Sequence, residues 1–155
     1  MRSTWMILAV FALSFALSGH ALAKTDGASV YSRCFGCHKS TGVGISGTFP
    51  PLASHAAKVA TAEGGRTFLI DILLYGMEGE IEVEGKKYDG AMPAFGEQLK
   101  DDEIAAVLNY ILTSWGNDKM LPKGHKGITA EEVKARRGKK LTPQQVYGAR
   151  QKLKL

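Results

Sequence analysis

Two stretches of this chain repeat apolar residues at intervals of three and four, and a third alternates. The clearest helical repeat runs through Ile104, Val107, Leu108, Ile111, Leu112 and Trp115. The acidic run Asp101-Asp102-Glu103 opens it, placing negative charge at the positive end of a helix. Gly116 is positioned to stop it. A second repeat, over residues 66–75, puts Phe68, Leu69, Ile72 and Leu73 on one face. Shorter signals flank these two. Thr25 or Asp26 can cap a helix carrying Val30, Tyr31 and Cys34, and residues 54–62 read as a short helix ended by Gly64-Gly65. Residues 80–88 alternate polar and apolar around Gly85, which predicts a hairpin with acidic and basic arms facing each other. Towards the carboxyl end, Thr129-Ala130-Glu131-Glu132 and Thr142-Pro143-Gln144-Gln145 form two capping boxes. The short helices they predict carry Val133, Leu141, Val146 and Leu153. Helices this short are marginal alone in water, so they are expected to dock on the rest of the chain.

The first residues follow a different pattern. Arg2, an apolar run over residues 5–17 and Ala21-Leu22-Ala23 together read as a signal peptide over 1–23. The run falls short of the ~20 apolar residues of a membrane span. Retention of this leader as an anchor is the competing reading. The remainder suffices for one small domain. The formal charge of +5 conceals an asymmetry. Residues 24–120 hold 9 Lys/Arg and 13 Asp/Glu, a balance of −4, whereas 121–155 hold 10 and 2, a balance of +8. A basic tail can bind nucleic acid or an anionic membrane. Its own helix signals favour docking on the acidic core instead. No nucleic-acid partner is expected, and no membrane contact except through partners.

Candidate chemistry concentrates in Cys34-Phe35-Gly36-Cys37-His38, which holds both cysteines of the chain. Two thiols three positions apart on a helical turn can each add to a haem vinyl group, and the histidine that follows can ligate the iron from below. A thioredoxin-like dithiol would need a βαβ setting, and a zinc site three or four Cys/His ligands; the chain offers neither pattern. A disulfide across four residues would constrain little chain and leave His38 unexplained. The motif therefore predicts one covalently bound haem c. Residues 39–51, rich in Gly, Ser and Thr, read as an irregular loop passing the haem. The Pro50 carbonyl that closes this loop is a good partner for the second nitrogen of His38, although an ordinary Pro-Pro turn fits equally well.

A sixth iron ligand is sought in the loop Asp89-Gly90-Ala91-Met92-Pro93-Ala94-Phe95. Met92 is the preferred candidate, because a loop stiffened by Pro93 can present a thioether. Met77, Met120, His55 and His125 are its rivals.

Together with Phe49-Pro50-Pro51-Leu52 and the helix over 102–110, these motifs resemble, in order, a class I cytochrome c over residues 24–115. The resemblance implies an all-α fold in which the first and last core helices cross, with Gly27, Tyr31, Val107 and Tyr110 at the contact and a small β-hairpin added. It also implies that Pro50 accepts from the ligand histidine and that His38 and Met92 are the axial ligands of the iron. Glu63-Gly64-Gly65-Arg66, the hairpin and the tail are further similar to the long-tailed monohaem cytochromes of thermophilic bacteria that donate electrons to a ba-type haem–copper oxidase. From that likeness we expect a haem domain over 24–119 and a helical extension over 120–155 clasping it. The function implied is a soluble, monomeric, periplasmic electron carrier, not an enzyme. It would take electrons from an upstream quinol-oxidising complex or cytochrome and deliver them to a terminal oxidase in a respiratory chain. The alternative is the haem-c electron-transfer subunit of a periplasmic oxidoreductase.

Overall fold

The computed structural model describes residues 25–155, so the expected leader lies outside the described residues. A first helical run comprises α1 (Gly27–Tyr31), a 3-10 turn (Ser32–Cys34) and α2 (Phe35–His38). Asp26 is its cap, accepting from the Ala28 and Ser29 amides at 3.1 and 3.2 Å. Thr25 instead donates to Asp102 at 2.5 Å, tying this run to α5 (Asp101–Leu112). The two helices cross at Gly27, where any Cβ would collide with the Ala106 carbonyl and the Tyr110 side chain. Only glycine permits so close an approach. Tyr31, fully buried, completes the crossing by packing on Tyr110 and Trp115, with ring centroids 5.4 and 4.8 Å away. Its hydroxyl donates to the Lys39 carbonyl at 2.9 Å, leading the chain out of α2.

Between these helices come α3 (Ala56–Thr61), α4 (Gly65–Tyr75) and the antiparallel pair β1 (Ile81–Val83) and β2 (Lys86–Tyr88). The strands pair Glu82 with Lys87, and Glu80 forms an ion pair with Lys87 at 2.8 Å. Two boundaries differ from expectation. The helix expected over 54–62 starts only at Ala56 and stops before Ala62, which is extended, while Gly65 opens α4 rather than closing α3. α5 ends at Leu112, short of Trp115. There the Thr113 and Ser114 hydroxyls bond back to the Asn109 and Tyr110 carbonyls, offering the backbone an alternative to further helix.

The tail supplies α6 (Ala130–Arg137) and α7 (Pro143–Gln151), each opened by its capping box. α6 packs on α4 and α5 with Val133 fully buried, and α7 packs on α4 with Val146 fully buried. Leu141 and Leu153 are half-buried at its margin. The polar contacts are less exposed than surface ion pairs usually are. Arg136 grips Asp71 with two bonds of 2.8 and 2.6 Å, and Asp71 is only 3% exposed. Arg66 likewise holds Glu132 at 2.6 and 2.7 Å, while Arg137 reaches Asp101 at 2.7 Å and the Gly96 and Leu99 carbonyls. The result is a mostly helical fold with a small hairpin and the carboxyl-terminal helices packed on the core.

Candidate functional site

α4 divides its apolar residues between two surroundings. Ile70 and Leu74 enter the cluster formed with α1, α5 and α6. Phe68, Leu69, Ile72 and Leu73, the face picked out by the repeat, line a cavity. The space between these residues, open solvent included, comes to about 1010 Å³. One wall carries Cys34, His38, Pro50, Leu52, Met92, Leu108 and Ile111; the other carries Val59, Met77, Ile81, Val83 and Tyr88, with Arg150 reaching in from α7. Cys37, half-buried, lies one helical turn along from Cys34.

His38 is 9% exposed, and its Nδ1 lies 3.0 Å from the Pro50 carbonyl oxygen. A carbonyl can only accept, so Nδ1 carries the proton and Nε2 keeps its lone pair. Burial lowers the His38 pKa, opposed in part by that hydrogen bond, and the neutral ring is the form that binds a metal. The loop that brings Pro50 here is held by the Gly44 amide donating to the His38 carbonyl at 3.2 Å and by the Leu52 amide donating to Gly42 at 2.7 Å. Burial, and then the neighbouring Cys37, raise the Cys34 thiol to about 11. Redox dithiols show the opposite shift.

The two methionine candidates are partners. Met77 and Met92 exchange backbone hydrogen bonds of 2.9 Å in each direction, an isolated antiparallel bridge that sends both side chains to one side. Gly76, at a φ of 73°, makes this approach possible; a Cβ there would sit 2.5 Å from the Met92 carbonyl oxygen. Their surroundings differ. Met77, 6% exposed, is embedded among Val59, Phe68, Ile81, Val83 and Tyr88, whereas Met92 packs on the cluster that also holds Cys34 and Leu52. His55 lines the cavity too, but Met120 and His125 do not.

Two features escaped the sequence reading. Asn117, fully buried, accepts from the Ala57 amide at 3.1 Å and donates to the Leu52 and Ile111 carbonyls at 2.9 and 3.0 Å. It thereby pins the proline loop to α3 and α5. The other is Arg150 on the cavity wall. A buried arginine has no periodic signature, and only the capping box of α7 hinted at where Arg150 would go.

A haem fits this donor set: two thiols on one helical turn, an imidazole with a free lone pair, two thioethers in the same cavity lining, and apolar walls. The Cytochrome c family model matches residues 25–115. A Thermus thermophilus protein named cytochrome c-552 is 59% identical over 139 residues, covering 90% of this chain and 93% of that one. A second Thermus thermophilus cytochrome c-552 is 58% identical over 132 residues, 85% of this chain and 99% of the relative. The cytochrome c subunit of gluconate 2-dehydrogenase from Pantoea cypripedii is 41% identical over 93 residues, which cover 59% of this chain but only 20% of that subunit. Motif, cavity and relatives agree, and the chain belongs to the cytochrome c family as a class I monohaem protein that binds haem c covalently and carries electrons rather than catalysing a reaction.

Proposed function

We propose that Cys34 and Cys37 bind the haem covalently, that His38 Nε2 and the Met92 sulfur take the two axial positions, and that the protein delivers electrons to a terminal oxidase. The observation carrying this reading is that the His38 ring, held by its bond to the Pro50 carbonyl, and Met92 line one cavity walled by apolar side chains. When bound, the haem supplies a one-electron Fe(II)/Fe(III) couple, and a thioether ligand raises its potential. The chain's part is to fix the imidazole, exclude water and leave no axial position for a substrate. Met92 is favoured over Met77 because its side chain is only half-buried in the cavity lining, while the Met77 side chain is engaged by the hairpin cluster.

Residues 1–23 act as an export leader in this reading, 24–119 as the haem domain and 120–155 as its clasp, which places the protein in the periplasm as a monomer. Among the described residues no helix is long and apolar enough to cross a membrane. Near-complete coverage of the two Thermus relatives, against a fifth of the dehydrogenase subunit, favours a free carrier over an oxidoreductase subunit.

Phe35, Gly36, Pro93 and Ala94 are exposed and uncharged beside the Cys motif and the Met92 loop. We assign the electron-transfer contact to them. Transient redox encounters bury less than about 1,200 Å² in total, and an apolar contact is nearly indifferent to salt, unlike steering by the basic tail. The rate of electron delivery to a haem–copper oxidase across a tenfold range of salt tests this. It should stay nearly flat, and Ala94→Lys should slow it more than neutralising Lys134 and Lys139 together. A steep fall with salt in the unmodified protein would overturn the assignment, and absence of any delivery would overturn the oxidase as acceptor.

A further inference from the structure

Among the described residues, every partly buried arginine but one is matched to a carboxylate. Arg66 has Glu132, Arg136 has Asp71 and Arg137 has Asp101. Arg150 is more buried than any of them, at 8% exposed, and makes no ion pair among the described residues. Its guanidinium has one hydrogen bond, from Nη2 to the Glu82 carbonyl at 3.2 Å. The acids of the neighbouring hairpin are otherwise engaged: Glu84 by Lys58 at 2.5 Å and Glu80 by Lys87 at 2.8 Å, with the Glu82 side chain exposed. A cation left unpaired in an apolar wall is costly unless something else compensates it.

The side chain stands on the wall of the haem cavity. A second polar group of that wall is also unmatched, since His55 Nδ1 is buried with no hydrogen-bond partner. The two lie in each other's field: Arg150 helps to depress the His55 pKa to about 4, after burial, which is the larger cause. A guanidinium with no carboxylate partner beside an imidazole nitrogen with no hydrogen-bond partner, on an otherwise apolar surface, calls for an anionic acceptor, and the cofactor carries two carboxylates as its propionate side chains. A guanidinium suits a carboxylate because its parallel N–H groups match the two oxygens.

We propose that Arg150 binds a haem propionate, with His55 Nδ1 as a second donor, so that the carboxyl-terminal extension supplies part of the cofactor site. This rests on the reading that the cavity holds the haem. Arg150 stands 35 positions beyond the last residue matched by the family model, so this cation is an addition of the long tail rather than a shared feature of the matched core. The extension thereby acts on the electron couple as well as on stability: a fixed cation beside the haem disfavours the oxidised, more positive state and holds the potential up.

The test is the reduction potential of purified holoprotein in three variants. Arg150→Met should lower it, because the cation is lost and the propionate charge is left uncompensated. Arg150→Lys, which keeps the charge, should restore most of the difference. Arg136→Gln should lower the melting temperature through Asp71 yet leave the potential unchanged. An Arg150→Met protein with the parent potential would overturn the inference, as would an equal fall in Arg136→Gln, which would trace the effect to a loosened tail. Should Arg150→Met not accumulate with haem, infrared spectra of the unmodified protein with carbon-13-labelled propionates decide. An ionised, ion-paired carboxylate band supports the site, and a protonated carboxyl overturns it. Failure of the haem reading itself is distinct, since the unmodified protein would then lack a haem spectrum.

Discussion

The cavity has two walls, and they are built on different terms. The first joins α1, α5 and the proline loop, and its parts meet at close, fully partnered contacts. These are the Gly27 crossing, the fully satisfied Asn117 side chain, and the Tyr31 ring with its hydroxyl on Lys39. The second joins the hairpin and α3 to α7, which folds back over α4. Cys34, His38, Pro50 and Met92 all belong to the first wall, while Met77 and Arg150 belong to the second. The residues proposed to bind the haem thus all lie within the matched stretch 25–115, and the extension adds Arg150 to the lining.

The harshest way to break this contrast is to remove the tail. Truncation after Lys119 strips Val133 and Val146 from full burial, worth about 3–6 kcal/mol for the two at roughly 1.5–3 each. Calorimetry should show a large fall in melting temperature. The oxidised spectrum should nevertheless keep its methionine-ligated form, because both proposed axial ligands remain on the first wall. Loss of that form would mean the walls are not separable.

A smaller and more local break is Asn117→Ala. The Ala57 amide and the Leu52 and Ile111 carbonyls lose their partner inside the first wall. Stranding a buried group costs about 1–3 kcal/mol. Chemical denaturation of the holoprotein should show that loss, with its midpoint shifted and its slope kept.

The smallest effect sharpens the account of the tail. Glu132 is held below its ordinary 4.5, first by its hydrogen bond from Arg66. As pH falls, the unfolded chain therefore takes up the proton first. The pair's contribution is complete above pH 4.5 and is lost as pH falls through the lower folded value. Glu132 is 38% exposed, so solvent screening keeps the pair to about 0–1 kcal/mol. Melting curves of Glu132→Gln, which leaves the Arg66 bonds to the Lys126 and Gly127 carbonyls in place, should lie slightly below the parent at neutral pH and approach it well below pH 4.5.

The sequence disclosed the first wall more fully than the second. The Cys-x-x-Cys-His motif, the repeat of α5 and the inward face of α4 are local patterns, legible from spacing alone. Both capping boxes also announced themselves, since each is complete within four residues. What stayed hidden depends on partners far away in the chain. Asn117 bonds to residues 60 and 65 positions off, and Arg136 finds Asp71 at a separation of 65. The tail was therefore expected to dock mainly through Val133, Leu141, Val146 and Leu153. Two of those four are fully buried, and the arginine forks add a half-buried polar frame that charge counting alone represents as surface attraction. The end of α5 was overrun because Trp115 continues the apolar spacing, whereas hydroxyl bonding by Thr113 and Ser114 had already stopped the helix.

The central claim is that Met92, and not its backbone partner Met77, ligates the iron opposite His38. The weak sulfur-to-iron charge-transfer band of the oxidised protein reports a methionine ligand directly. Met92→Ala should abolish that band, lower the potential and open the iron to carbon monoxide, while Met77→Ala should keep the band and lose only stability. A Met92→Ala protein that retained the band, with Met77→Ala losing it, would contradict the account.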